Sequence, residues 1–587
     1  MDKSWLKYYS DGLEDRLEQF EGSAYDQLKK TAQSYPNGAA LSYYTYRLSF
    51  SELMECIDKT ADLLVKDGLK KGDSILLALP SIPASIFFFY AANKLGVICS
   101  ISNDMVPKPL LHYIAVETGS KCIVTTEEMA SSLDEITRDT DVSLAIVCSP
   151  KNMMKYYSLF KIWFFGRGEG RFRSKELYRF KDLKMLTWKE FYDRDVEMTG
   201  ITSSGSSSDI AFYLNVGSAT GEHKSEAYSN SSLTSAVSIV KLGLDLMDPL
   251  KVRMRSITGI QNGYSSALSI AVHSMLCSGI EVILTPFESA KLFTYTILEK
   301  TPNIIIGYPE MFNSFMDIVK ANGRYVRKSF SFIDRVISVG AAFPTLQRKK
   351  FEDFLESHNC GAKVQVGYGL TECLSVCSLN PLSESRNNSM GIPLPGIIMK
   401  IVDSKSLSEM PIGQKGEICV CSPTSLASVL NDKKATEMVL RKHRDGRYWV
   451  HTGDIGHMDE DGFFYFDYAE KRCAKIGGRS VSLKAVEDAV KNVYGVTEVC
   501  VVDYTDDSGA AKLVAVVVPI DRFLFDNDKL SELKEKIEIE CSMILPDYMK
   551  PSEIEYRASL PKSGLGQIDN KLVEQEIVES RIGRVTN

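Results

Sequence analysis

Three short stretches carry residue types that suit a nucleotide. The first, LNVGSATGEHKSEAYSN, runs from Leu214 to Asn230. Gly217 and Gly221 permit a tight turn that brings backbone N–H groups toward an anion. Ser218, Thr220 and Ser225 add hydroxyl donors, and Lys224 adds a point charge. The Gly-x3-Gly-x2-Lys spacing is not that of a Walker loop, so taken alone the stretch reads equally well as a Ser/Gly turn. The second, VQVGYGLTEC, changes that balance. It places Tyr368, Thr371 and Glu372 around Gly367 and Gly369 after a β-rich run. A ring face suits a purine, a hydroxyl suits a phosphate oxygen, and a carboxylate suits a hard divalent cation, so Glu372 is the candidate Mg²⁺ ligand. The third, VHTGDIGHMDEDGFFYF, holds Asp454 in a Thr-Gly-Asp turn, where a carboxylate can accept from both hydroxyls of a ribose.

Positioning these stretches takes a large scaffold. The chain has 587 residues, 44% apolar and 25% charged, a soluble globular composition long enough for several domain-equivalents. Apolar strand-like and helix-like segments alternate: DSILLALP then PASIFFFYAANKLG, KCIVTT, SLAIVCS, IEVILTP then AKLFTYTILEK, NIIIGYP, RVISVGAA. Such alternation predicts an α/β fold with mainly parallel sheets covered by helices. From about 390 to 469 short strands with Gly-rich turns (IIMKIVD, GEICVCS, FFYFDY) predict a small antiparallel, β-rich subdomain. Residues 470–587 read as a compact α+β unit, so the expected organisation is 1–469 followed by 470–587.

Net charge is −7, which supplies no positive field for nucleic acid. The 13 cysteines form no CxxC pair, and Cys373 and Cys377 have no partner pair at zinc spacing. They read as reduced thiols of a cytoplasmic protein, in keeping with an N-terminal stretch that has no apolar core. The most apolar window, residues 74–102, is broken by Pro80, Pro83 and Asn93-Lys94 and reads as strand and buried helix, not as a membrane span. Residues 151–184 mix aromatics with Lys and Arg, a composition that fits either a solvated excursion or a peripheral membrane contact.

In order and spacing the three stretches resemble the adenylate-forming superfamily, which includes acyl-CoA synthetases, peptide-synthetase adenylation domains and luciferases. The resemblance covers nearly the whole chain. SVGAAFP (338–344) resembles the adenine-side segment and places Gly340, Ala341 and Ala342 there. GIPLPG, GEICV, KRCAKIGGRSVSLKAVEDAV and YMKPSEIEYRASLPKSGLGQIDNKLV match successive later segments. The resemblance implies two half-reactions. A small carboxylic acid, fatty or aryl rather than an amino acid, attacks the α-phosphorus of Mg·ATP; a thiol of coenzyme A or of pantetheine on an acyl or peptidyl carrier protein then displaces AMP. It implies a mobile C-terminal domain whose KIGG turn, with Lys475, Gly477 and Gly478, serves the thioester step. A non-catalytic relative that binds nucleotide or acyl group as a partner protein is the alternative.

The chain departs from the family pattern near the nucleotide. Gln567 stands where the family has a lysine that bridges carboxylate and α-phosphate oxygens. Tyr468-Ala469 replaces a Gly-Arg, Asn262 an aromatic or histidine, and Val216, Ala219 and His223 alter the phosphate loop. Lys224, Thr220, Tyr368, Thr371, Glu372 and Asp454 are retained. A cation beside developing negative charge in a shielded site is worth about 3–4 kcal/mol, roughly a hundred- to a thousand-fold in rate. Gln567→Lys is therefore expected to raise pyrophosphate release from ATP and acid by roughly that factor. No gain in a pyrophosphate-release assay would mean that more of the site than this one charge has been lost.

Overall fold

A computed structural model of the chain describes residues 4–9, 17–102, 106–151, 183–197, 200–217, 223–246, 253–261, 263–286, 289–341, 343–374, 376–469, 472–476, 479–505, 511–562 and 568–582. Of the window 151–184, expected as a surface excursion or membrane contact, residues 152–182 lie outside them.

The Ser74–Ala78 strand is buried along its full length, and the Pro83–Leu95 helix after it is buried on every side. Proline at the first turn and Gly96 in the left-handed region (φ 68°) set the two ends of that helix. A strand and helix without a polar face can only be central, and they are. Ser74–Ala78 pairs in parallel with Ile98–Ser102 and Ser120–Thr126. Leu144–Cys148 and Lys184–Thr187 extend the sheet on one side, and Ile210–Gly217 joins it on the other, again in parallel. His223–Ser229 then folds back antiparallel on Ile210–Gly217, pairing Val216 with Lys224. No helix among the described residues is long and apolar enough to cross a membrane.

A second sheet begins parallel, with Arg255–Thr258, Ile304–Gly307, Arg335–Ser338 and Val364–Gly369 side by side. At Val364–Gly369 the direction changes. Val376–Leu379 pairs with it antiparallel, followed by Ser389–Pro393, Phe464–Ala469, Tyr448–Met458, Gly416–Cys421 and Ile398–Val402. The β-rich segment is thus antiparallel, as its texture predicts, but it continues the parallel sheet edge to edge. The α/β class holds throughout.

The C-terminal unit has its own layers. Val496–Thr505 and Ala511–Pro519 pair antiparallel, and Glu553–Tyr556 adds a parallel strand. Helices Leu483–Lys491 and Asn527–Ile544 carry Val486, Val490, Leu533 and Ile537 into one apolar cluster, and Asn570–Ile582 packs Val573 and Ile577 into another.

The outer edge of the first sheet is pinned by one buried carboxylate. Asp67 accepts from Arg194 through both oxygens (2.8 and 2.6 Å) and from Lys184 Nζ (2.7 Å). Burial pushes the Asp67 carboxyl up, but the two cations outweigh it and hold it below the ordinary carboxylate range. A depressed native pKa stabilises the fold above the unfolded value, and the contribution fades as pH falls through the folded one. Asp67→Asn is expected to lower the melting temperature at neutral pH, with the gap to the parent closing below about pH 4. A gap that stays constant down to acid pH in thermal scans would show that the ion pairs contribute nothing.

Candidate active site

Parallel strands present their C-terminal ends at one edge, where ligands of open α/β sheets bind. Here that edge collects the ends of Ile304–Gly307, Arg335–Ser338 and Val364–Gly369. Gly340, two residues past the Ser338–Val366 pair, turns with φ 83°, and Ala341 follows it. Ala342 lies outside the described residues. Gly367 has to be glycine, since a Cβ there would lie 2.9 Å from both Leu379 and Val376 side chains and 3.1 Å from the Ser378 carbonyl. Tyr368 and Gly369 next to it are half-buried.

Tyr368 donates its hydroxyl to Asp454 Oδ2 at 2.6 Å, across 86 residues of chain. Burial first, then the Asp454 charge, raise the phenol far above its ordinary pKa, so it stays a donor. Asp454 itself stands on a fixed turn. Gly453 is left-handed (φ 69°), and its N–H donates to Glu417 Oε1 at 3.0 Å. Thr452 Oγ1 donates to the Ile418 carbonyl at 2.8 Å and accepts from the Asp454 N–H at 3.0 Å. The other Glu417 oxygen lies 2.8 Å from His451 Nδ1. Burial pushes the Glu417 carboxyl up, and His451, the Gly453 N–H and Arg441 together outweigh it, leaving the group below its usual value. Behind this turn His443 is held down to about 4, by burial first and then by Lys400 and His451.

The Thr371–Cys373 turn is anchored by its backbone. The Thr371 carbonyl is 2.5 Å from the Tyr228 hydroxyl, the Glu372 carbonyl accepts from Leu426 N–H at 2.8 Å, and the Cys373 carbonyl accepts from Thr424 Oγ1 at 2.6 Å. The Glu372 carboxylate makes no hydrogen bond or ion pair with the described residues, although its charge is among the influences that raise Tyr228. Burial is the first of those causes. Tyr228 belongs to the same His223–Ser229 strand as Lys224, about 13 Å away along the strand. Lys224 Nζ lies 3.3 Å from Asp432 Oδ2.

The structure therefore joins Tyr368 directly to Asp454, and Thr371–Glu372 to the strand that carries Lys224. Among the described residues Lys224 is paired with Asp432. Gly217 closes its strand opposite His223. Ser218, Thr220 and Gly221 lie outside the described residues, as do Asn262, Gly477, Gly478 and Gln567. Lys475 is paired through its backbone with Ser480 in a short hairpin. Lys562, a lysine near Gln567, is engaged with Glu498 at 2.6 Å and forms a β-bridge with Ile568. Ala469, at the position of the expected arginine, is the ladder partner of Asp454. Three participants escaped the sequence reading: Tyr228, Glu417 and Asp432. Glu417 sits in the GEICV segment, where the acidic residue inside a buried run was the available signal.

Known proteins share the family pattern and the fold of this chain. The AMP-binding enzyme family matches residues 28–429, and the AMP-binding enzyme C-terminal domain matches residues 485–567. Among curated relatives, a long-chain-fatty-acid–CoA ligase of Salmonella typhimurium is 25% identical over 526 residues, covering 89% of this chain and 87% of its own. One from Bacillus subtilis is 24% identical and covers 98% of each. Among solved structures, the anthranilate CoA ligase AuaEII in complex with anthranoyl-AMP superposes with a TM-score of 0.77 at 18% identity, covering 97% of this chain and 99% of that one. ATP-bound MatB from Rhodopseudomonas palustris gives 0.78 at 17% identity, covering 96% and 100%. With more than half its length matched, and with its fold shared end to end, the chain belongs to the AMP-binding enzyme family, the adenylate-forming ligases that its motifs resemble.

Proposed function

We propose that the chain is an AMP-forming acid–thiol ligase whose thioester half-reaction outpaces its adenylation half-reaction. The observation that carries the reading is the Tyr368–Asp454 hydrogen bond at the C-terminal edge of the parallel strands, next to the Glu372 turn. Asp454, oriented by Tyr368 and by its own turn, accepts from the ribose hydroxyls. Tyr368 offers its ring and Gly340–Ala341 their backbone to the base. Thr371 donates its hydroxyl to a phosphate oxygen, and Lys224 offsets phosphate charge once it turns from Asp432. That exchange costs little, because both members of the pair are partly exposed and such pairs are worth about 0–1 kcal/mol.

Mg²⁺ fits the Glu372 carboxylate, a half-buried oxygen donor with no other claim on it among the described residues. Bound there, it would neutralise charge between the phosphates. In the first half-reaction an acid oxygen bonds the α-phosphorus and pyrophosphate leaves. In the second a thiol sulfur bonds the acyl carbon and AMP leaves. Gln567 and Ala469 remove two cations from the first step, whereas the KIGG turn that the resemblance assigns to the second is retained. Relatives named for long-chain fatty acids, and a neighbour named for anthranilate, support a fatty or aryl acid with coenzyme A as acceptor.

Two measurements test this. Supplied acyl-adenylate and coenzyme A are expected to give thioester, while ATP and free acid release little pyrophosphate. Equal rates overturn the asymmetry, and no turnover in either assay with AMP still bound would make the chain a non-catalytic nucleotide-binding relative. In calorimetry with AMP, Asp454→Ala is expected to weaken binding by roughly ten- to a hundred-fold, the loss of charge-assisted hydrogen bonds. Tyr368→Phe, which keeps the ring and loses only the hydroxyl, should cost less. Unchanged AMP affinity in Asp454→Ala would remove the ribose role.

A further inference from the structure

Behind the Thr-Gly-Asp turn, on the opposite side of Glu417, three buried side chains meet: Cys419, His443 and His451. Their ligand atoms all lie within 4.8 Å of one another. Cys419 and His451 are ladder partners on adjacent strands, and His443 comes from the hairpin that follows Leu440–Lys442. Cys419 Sγ is 3.7 Å from His451 Nδ1 and 3.8 Å from its Nε2. His443 Nε2 faces His451 Nε2 at 2.9 Å. We infer that Cys419, His443 and His451 form a binding site for a borderline divalent transition metal, of which Zn²⁺ is the best fit.

Zinc takes thiolate and imidazole together in tetrahedral geometry, with bonds of about 2.3 Å to sulfur and about 2.0–2.1 Å to nitrogen. Those lengths put sulfur about 3.6 Å from a ligating nitrogen and the two nitrogens about 3.3 Å apart. The distance from Cys419 Sγ to His451 Nε2, 3.8 Å, is already close to that value. The imidazoles need to part by about 0.4 Å to reach that spacing, and His443 is placed to move. Its Nδ1 is buried with no hydrogen-bond partner, so no second bond holds the ring. His451 is prepared in the opposite way. Its Nδ1–H donates to Glu417 Oε2, which fixes the tautomer and leaves Nε2 as a lone pair, the carboxylate–histidine support typical of metal sites. Burial and then the Glu417 carboxylate push the Cys419 thiol up, and Lys400, its ladder partner, only partly counters this; Lys400 also opposes a cation, an effect the Glu417 carboxylate offsets. On binding, Cys419 loses its proton, the His443 proton moves from Nε2, where it is donated to His451, to Nδ1, and water completes the fourth position. Positions 419, 443 and 451 follow no zinc-motif spacing, so the cluster is a product of the fold.

The test is titration of full-length, chelator-treated protein with Co²⁺ alone. The expected result is one saturating equivalent, with a thiolate-to-cobalt charge-transfer band in the near ultraviolet and tetrahedral bands in the visible, all displaced by Zn²⁺. Cys419→Ser should abolish the charge-transfer band, and Cys421→Ser should leave it intact. His443→Ala should weaken binding at least tenfold, and Glu417→Gln, a positioning change, by about 10–100-fold. His443→Gln repeats the measurement if the alanine variant fails to fold by circular dichroism. Absence of a saturable thiolate band, or a band unchanged in Cys419→Ser, overturns the assignment.

Discussion

The hydrogen bond from Tyr368 to Asp454 ties together two parts of the sheet that run by different rules. Tyr368 ends a strand whose left neighbour is parallel and whose right neighbour is antiparallel. Asp454 sits four strands further on, in the antiparallel part, on a turn that Glu417 and Thr452 hold from beneath. The parallel part supplies open strand ends. The antiparallel part curls a carboxylate back over them. Neither half makes this arrangement by itself, and the half-buried phenol–carboxylate contact sets the distance between them. A phenol pushed far above its ordinary pKa cannot give up its proton, so the contact persists across any physiological pH.

Local pattern carried most of the architecture. PASIFFFYAANKLG is a helix between a proline and a glycine, and AKLFTYTILEK is a helix over the same residues, Ala290–Lys300. RVIS and NIIIG are short strands where the apolar runs put them. The site was legible in part for the same reason: Gly367, Tyr368 and the Thr-Gly-Asp turn are local backbone requirements written in glycine. What the residues did not announce is pairing at long range. Lys224 meets Asp432 over 208 residues, and Tyr228 meets Thr371 over 143. A tyrosine in a strand and an aspartate before a helix are each ordinary, and only the packing of His223–Ser229 against Ser428–Val429 makes them neighbours of the site.

On the proposed reading, charge and not shape separates this chain from a fully active adenylating site. The ladder position opposite Asp454 is Ala469, which offers no cation to the ribose or phosphate side. Gln567 offers a dipole where a full charge is expected. Inside a shielded site each such loss acts on the step in which negative charge builds at phosphorus, because there the surroundings screen least. The step in which sulfur attacks an acyl carbon develops its charge elsewhere and depends on a different set of donors. The two half-reactions can therefore diverge in rate within one unchanged fold.

Glu417 connects the Thr-Gly-Asp turn to the Cys419–His443–His451 cluster through its two oxygens. One accepts from the Gly453 N–H that shapes the Asp454 turn, and the other from His451. A carboxylate shared in this way cannot be rotated to suit one partner without disturbing the other. Withdrawal of electron density from His451 by a bound cation would strengthen its N–H donation, and with it the anchoring of Glu417 beneath Gly453. Any such coupling is reciprocal, so nucleotide held by Asp454 would tighten the cluster by the same factor. The energy available for it is limited by one charged hydrogen bond, on the order of 1.5–3 kcal/mol. That is enough to shift occupancy at either end and too little to make either site depend wholly on the other, so a metal held at the cluster would act on the turn as a brace, not as a switch.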